Sequence, residues 1–177
     1  VTTYVYDDFG QLTSQESPVT GITEYAYDSA GNLTQMTDAN HATTTRAYDV
    51  LNRATTATAT RDASSEVVSW SYDDGTAGRF GVGRLAAMTD PSGSTTYRYE
   101  RRGLLRDETR TLAGAQYTYT TRFEHDADGN RAVVRYPSTQ LVVQYGFDYA
   151  GRATSASEVV NAAVYLPFGP LASLTFA

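Results

Sequence analysis

The chain has 177 residues, a formal net charge of −6 and no cysteine, which sets the size of one domain and excludes disulfides and thiolate chemistry. All fourteen basic residues are arginine, scattered along the chain, so neither a nucleic-acid surface nor an anionic-membrane surface is indicated, and no stretch approaches a membrane span. Aliphatic residues and Phe are sparse, but fourteen tyrosines and one tryptophan supply buried area in their place, since a Tyr ring packs while its hydroxyl stays bonded or wet.

Read in chain order, one phrase recurs. It first occurs around Tyr4 and Tyr6, with Asp7 next, Gly10 four residues after Tyr6, and Leu12-Thr13 following. The second copy has Tyr25, Tyr27, Asp28, Gly31 and Leu33-Thr34, and a turn-rich link at Asp38-Ala39-Asn40-His41 follows it. The third has Tyr48, Asp49 and Asn52. The fourth has Trp70, Tyr72 and Asp73, then an insertion, and resumes at Gly83-Arg84-Leu85; Thr76 to Val82 reads as a longer exposed hairpin loop. The link Asp90-Pro91-Ser92-Gly93 leads to the fifth copy, with Tyr97, Tyr99, Glu100 and Gly103. The sixth substitutes His125 for the anchor Tyr, between Phe123 and Asp126, and keeps Gly129. The seventh has Tyr145, Phe147, Asp148 and Gly151. The eighth keeps Tyr165 and Gly169 but loses the Asp, and its two prolines point to a stiff turn or an edge.

The spacing dictates the local structure. Aromatic residues two apart lie on one face of a strand. Short runs of Leu, Val, Thr and Ala after the turn favour a second strand. Where Asn52 replaces Gly, the residue type is the one best able to adopt positive φ, so the position requires a left-handed backbone. The preceding Asp is placed to accept hydrogen bonds from turn N–H groups. Each repeat is therefore one β-hairpin, and because a lone hairpin is marginal in water, eight must stack edge to edge. The expectation is an all-β fold over residues 1–177, a single array of about eight hairpins. Its first residues already lie inside a strand, and it reads as a fragment of a longer polypeptide.

Candidate chemistry is absorbed by the same pattern. Asp126-Ala127-Asp128-Gly129-Asn130 opens like a calcium loop, but the sixth and twelfth places hold Arg131 and Pro137, and an EF-hand needs Gly and Glu there. Gly81-Val82-Gly83-Arg84-Leu85-Ala86 lacks the βαβ context of a dinucleotide site, and a phosphate-binding P-loop needs a lysine. His41 and His125 have no companion ligands. The carboxylates needed by a glycosidase are here mostly turn residues. No catalytic, cofactor or metal site is expected.

The phrase Tyr-Asp-x-x-Gly-Asn/Arg-Leu-Thr, at steps near 21 residues across the whole chain, resembles the YD repeats of Rhs (rearrangement hotspot) proteins. That superfamily spans polymorphic toxins, toxin-complex shells, wall-associated proteins and teneurins. The resemblance implies a ribbon of hairpins spiralling into a hollow shell, a structural and non-catalytic role, and a secreted or cell-surface setting. Its implied partners are further repeats of a parent polypeptide and an encapsulated toxin domain. It also allows a second reading, a carbohydrate-binding module, for which Trp70 and the Thr76 to Val82 loop are the candidate surface. A glycosidase is the third. Asp90-Pro91-Ser92-Gly93 resembles part of the family's plug motif, but Ser94 stands where Leu is expected, so it reads as an interhairpin turn.

Overall fold

The computed structural model describes residues 1–115, 117–137, 141–165 and 171–176. Its regular structure consists of sixteen strands: β1 (Thr3–Tyr6), β2 (Leu12–Ser17), β3 (Gly21–Tyr27), β4 (Leu33–Thr37), β5 (Thr43–Tyr48), β6 (Ala54–Arg61), β7 (Ser64–Asp74), β8 (Gly81–Asp90), β9 (Gly93–Tyr99), β10 (Leu105–Leu112), β11 (Thr118–His125), β12 (Arg131–Arg135), β13 (Val142–Phe147), β14 (Ala153–Ala156), β15 (Val160–Tyr165) and β16 (Leu171–Phe176). The fold is all-β, as the two-residue aromatic spacing predicts. The chain divides into two compact units, Val1–Ser71 with Ala87–Gly93, and Tyr72–Ala86 with Ser94–Ala177. Within each unit the strand order is the sequence order, and among the described residues the strand contacts are between sequence neighbours, the signature of a repeat array.

The hairpins share one irregularity that sequence reading misses. Val5 faces Ser14 but Tyr6 faces Leu12, so Thr13 is an extra residue opposite the anchor. The same β-bulge leaves Thr34, Thr55, Ala132, Thr154 and Ala172 as the extra residue in the hairpins of β3/β4, β5/β6, β11/β12, β13/β14 and β15/β16. A bulge bends the strand and sharpens its twist just before the turn. Thr suits the place because its hydroxyl reaches back: Thr13 Oγ1 donates to the Val5 carbonyl at 3.2 Å, and Thr34 Oγ1 to that of Ala26 at 3.1 Å.

The aromatic face is the better covered one. In β3, Thr23, Tyr25 and Tyr27 are half-buried while Ile22, Glu24 and Ala26 are exposed. The most buried apolar side chains described, Phe123, Val134 and Val143, form one cross-strand row, Phe123 opposite Val134 and Val134 opposite Val143. No large side chain among the described residues is fully buried. Packing is therefore carried by cross-strand pairs rather than by an enclosed core. Strands β1 and β16 are exposed along their whole lengths.

The fourth hairpin differs from expectation. Residues 76–82 are not all loop: β7 continues through Asp74, past the anchor Tyr72, and β8 starts at Gly81. The inserted residues thus lengthen the hairpin, and its tip is residues 75–80. The tip has its own turn chemistry, with Thr76 N–H donating to Asp74 Oδ1 at 3.0 Å and an Arg79–Asp74 ion pair at 2.9 Å. Gly169, the glycine of the eighth repeat, lies outside the described residues.

Candidate functional site

The feature repeated most faithfully is the turn, and it is built by the Asp that follows the anchor. Asp28 donates its N–H to the Asn32 carbonyl, and Gly31 donates back to the Asp28 carbonyl, both at 3.0 Å. Asp28 Oδ1 then accepts the N–H groups of Ala30 and Asn32, each at 2.9 Å. Asp7, Asp49 and Asp148 repeat this double acceptance, and Asp126 accepts from Asn130. The third residue after the Asp has positive φ: +78° at Gly10, +84° at Gly31, +59° at Asn52, +87° at Gly103, +90° at Gly129 and +72° at Gly151. In the lengthened fourth hairpin Asp73 itself has φ +66°, and its Oδ1 takes the Gly83 N–H, with Gly83 at φ +77°. Glu100 keeps the backbone pattern with Gly103 and Leu104, while its longer carboxylate bonds Arg102 Nε at 2.8 Å.

Successive turns are coupled by the residue that follows the positive-φ position. A Cβ on Gly31 would lie 3.1 Å from Gln11 Nε2, one on Gly151 would lie 3.4 Å from Asn130 Oδ1, and one on Gly103 would overlap the Arg84 guanidinium. Each of these glycines is thus fixed both by positive φ and by the side chain of the preceding repeat lying against it. At Asn52 the coupling becomes a hydrogen bond, Asn32 Nδ2 to Asn52 Oδ1 at 2.9 Å. Arg102 joins its neighbour differently, donating Nη1 to the carbonyls of Asp126 and Ala127.

The anchors form a second line of coupling. Tyr27 donates its hydroxyl to the Leu12 carbonyl at 3.0 Å, Tyr48 to Leu33 at 2.8 Å, Tyr99 to Leu85 at 2.8 Å and Tyr165 to Ala153 at 2.9 Å. Leu12, Leu33 and Ala153 are the first strand residues after the preceding turn, and Leu85 holds the equivalent repeat position inside β8. Arginine reinforces the same joint: Arg152 pairs with Asp148 at 2.7 Å and its Cζ lies 4.7 Å from the centroid of Tyr165, and Arg84 lies over Tyr99. Tyr6 is an exposed anchor on β1, and Tyr72 is half-buried in β7. His125 and Phe147 lack a hydroxyl, and the buried Nδ1 of His125 has no hydrogen-bond partner among the described residues.

Turn bonding stabilises the carboxylates as anions. The Asn32 side chain is the largest cause holding Asp28 below its ordinary range, the Asn130 side chain acts likewise on Asp126, and Arg152 on Asp148. For Asp49 the leading cause is the Arg53 N–H. Asp74, bound first by the Thr76 side chain and then by its N–H and Arg79, is lowered to about 2.

Between turns lie open grooves. One, of roughly 550 Å³, is lined by Asp7, Phe9, Gln11, Tyr27 and Asp28. Its counterpart, of roughly 630 Å³, is lined by Asp126, Asp128, Asn130, Phe147, Asp148 and the fully exposed Tyr149. Among the described residues no three His, Asp or Glu side chains converge on a metal position. Trp70 is half-buried on β7, on the same face as Val68 and Tyr72, and lines none of the described grooves.

One turn of the same design escapes the repeat register. Asp38 Oδ1 accepts from Asn40 and Ala42, and His41 has φ +60°. The link between β4 and β5 therefore copies the turn with His in the glycine place. Its signal in the sequence is the Asp three residues before a residue that tolerates positive φ.

The RHS repeat family model matches residues 6–43 and 27–61, which contain the first three anchors. No curated protein matches the chain in sequence. Among solved structures, a crystal structure of TcdB2-TccC3-Cdc42 aligns with a TM-score of 0.84 at 16% identity over 99% of this chain. One of TcdB2-TccC3 gives 0.84 and 16% over 98%, as does the structure of a Photorhabdus luminescens Tc holotoxin pore. This chain spans about 10% of each matched chain. At this identity the likeness is one of fold.

Proposed function

We propose that this chain, an Rhs/YD-repeat protein, is a non-catalytic segment of a β-shell wall that helps to enclose an effector domain until delivery. The carrying observation is the inter-repeat coupling. The turn Asp residues, Gly31, Gly103 and Gly151, and the hydroxyls of Tyr27, Tyr48, Tyr99 and Tyr165 are spent on holding one hairpin to itself or to the one before it. Such a device specifies a wall that extends by repetition, and it leaves the conspicuous carboxylates occupied in turn bonding. The fold shared with toxin-complex chains about ten times longer supports a place within a larger polypeptide in a secreted or surface setting. Its partners there are neighbouring repeats and the enclosed domain.

The test uses the parent polypeptide with two turns disrupted, Gly31→Val together with Gly151→Val. Limited proteolysis is followed by mass spectrometry of the effector region. Faster digestion of the effector in the variant supports enclosure by this wall. An effector digested equally fast in both proteins refutes it.

A further inference from the structure

The second unit carries a charged cluster that the turn array does not use. Arg122 on β11 and Arg135 on β12 are direct cross-strand partners, on the face opposite Phe123 because neighbours on a strand alternate. Like charges placed opposite each other are unfavourable. Each guanidinium is steadied by its own carboxylate: Arg122 Nε donates to Asp107 Oδ1 at 2.8 Å, and Arg135 Nε to Glu124 Oε1 at 2.8 Å. Asp107 is the cross-strand partner of Arg122 and is only 3% exposed. Both arginine side chains are about half exposed, at 50% and 48%, and among the described residues their Nη groups make no hydrogen bond. Arg122 and Arg135 are balanced by Asp107 and Glu124, so what the cluster offers is exposed Nη donors rather than net charge.

We propose that Arg122 and Arg135 form a binding site for an oxyanion, a carboxylate, sulfate or phosphate group held between the two guanidiniums. The carboxylates occupy the Nε atoms and fix the planes, which leaves Nη donors in the fork geometry suited to oxygen pairs. An oxyanion there also cancels the repulsion between the paired arginines. The proposal does not depend on the shell reading.

The test compares thermal unfolding of the 177-residue chain in chloride, acetate, sulfate and phosphate at matched ionic strength, with NMR of the arginine side-chain N–H signals. The expected result is saturable shifts at Arg122 and Arg135 in at least one oxyanion, with a Tm rise beyond the general effect that excluded salts such as sulfate and phosphate have on any protein. Saturable shifts with acetate identify a carboxylate ligand, and shifts restricted to sulfate and phosphate identify a tetrahedral one. Arg135→Gln should weaken binding by at least about tenfold, with Tm in chloride unchanged or higher because the like-charge pair is gone. Arg122→Lys, which keeps a cation beside Asp107 but removes the fork, should stay folded and bind more weakly. Absence of saturable shifts at Arg122 and Arg135 in all three oxyanions, or saturable shifts of undiminished affinity retained at Arg122 in Arg135→Gln, would overturn the proposal.

Discussion

Replacing Gly31 by valine perturbs the turn device at one point and tests two causes together. Gly31 has φ +84°, a conformation that costs an L-residue about 1–2 kcal/mol and a β-branched one more. Its new Cβ would also meet Gln11 Nε2 at 3.1 Å, a contact that the flexible end of Gln11 relieves by moving. The expected loss is about 2 kcal/mol, which for a chain of this size lowers Tm by roughly 4–8 °C. Two companion variants separate the causes. Gly31→Asn should cost less than about 1 kcal/mol, because Asn tolerates this backbone, as Asn52 does at φ +59°. Gly10→Ala meets open space, whereas Gly103→Ala meets the Arg84 guanidinium, so Gly103→Ala should be the more damaging of the two at nearly equal φ. Scanning calorimetry provides the readout. A Gly31→Val Tm within error of the parent, or equal losses for Val and Asn, refutes the turn argument.

Three further outcomes are expected. Tyr48→Phe removes the hydroxyl bond to the Leu33 carbonyl and should lower urea stability by about 1 kcal/mol; no change would mean that the hydroxyl is equally well served by water. Phe123→Ala removes the aromatic end of the Phe123–Val134–Val143 row and should cost about 3 kcal/mol, measured by the same denaturant titration. Stability should fall in acid, because the lowered turn Asp residues bind protons more readily once unfolded. Their contribution is complete well above about pH 4, the unfolded carboxylate value. It is lost as pH drops through the folded values, Asp74 last at about 2. Asp49→Asn keeps an oxygen to accept the turn N–H groups but cannot titrate there, so its Tm-against-pH curve should be flatter; a curve parallel to the parent's would remove Asp49 from the account.

The carbohydrate reading placed weight on Trp70, whose face in β7 is shared with Val68 and Tyr72 and is half-buried. Composition marked Trp70 as a conspicuous aromatic, but only packing decides whether a ring faces solvent. Tyr149, fully exposed at a turn tip beside Asp126 and Asp128, is the more accessible ring. It is an extra aromatic within the turn rather than an anchor, so the repeat pattern gave no reason to single it out.

Local chemistry was enough to determine the hairpin, its turn and its period. Tyr25 and Tyr27 two apart set a strand face, Asp28 and Gly31 set a turn, and Asn52 disclosed the positive φ, because each depends on residues a few positions apart in the chain. Tertiary structure alone decided what lies opposite what. The bulge at Thr13 and Thr34 depends on cross-strand register, the contact of Gln11 with Gly31 joins residues twenty apart, and the pairing of Arg122 with Arg135 is visible only once two strands are aligned. The Asp38 turn sits between these limits: its residues are local, but His41 in the glycine place hides the likeness until its φ of +60° is known.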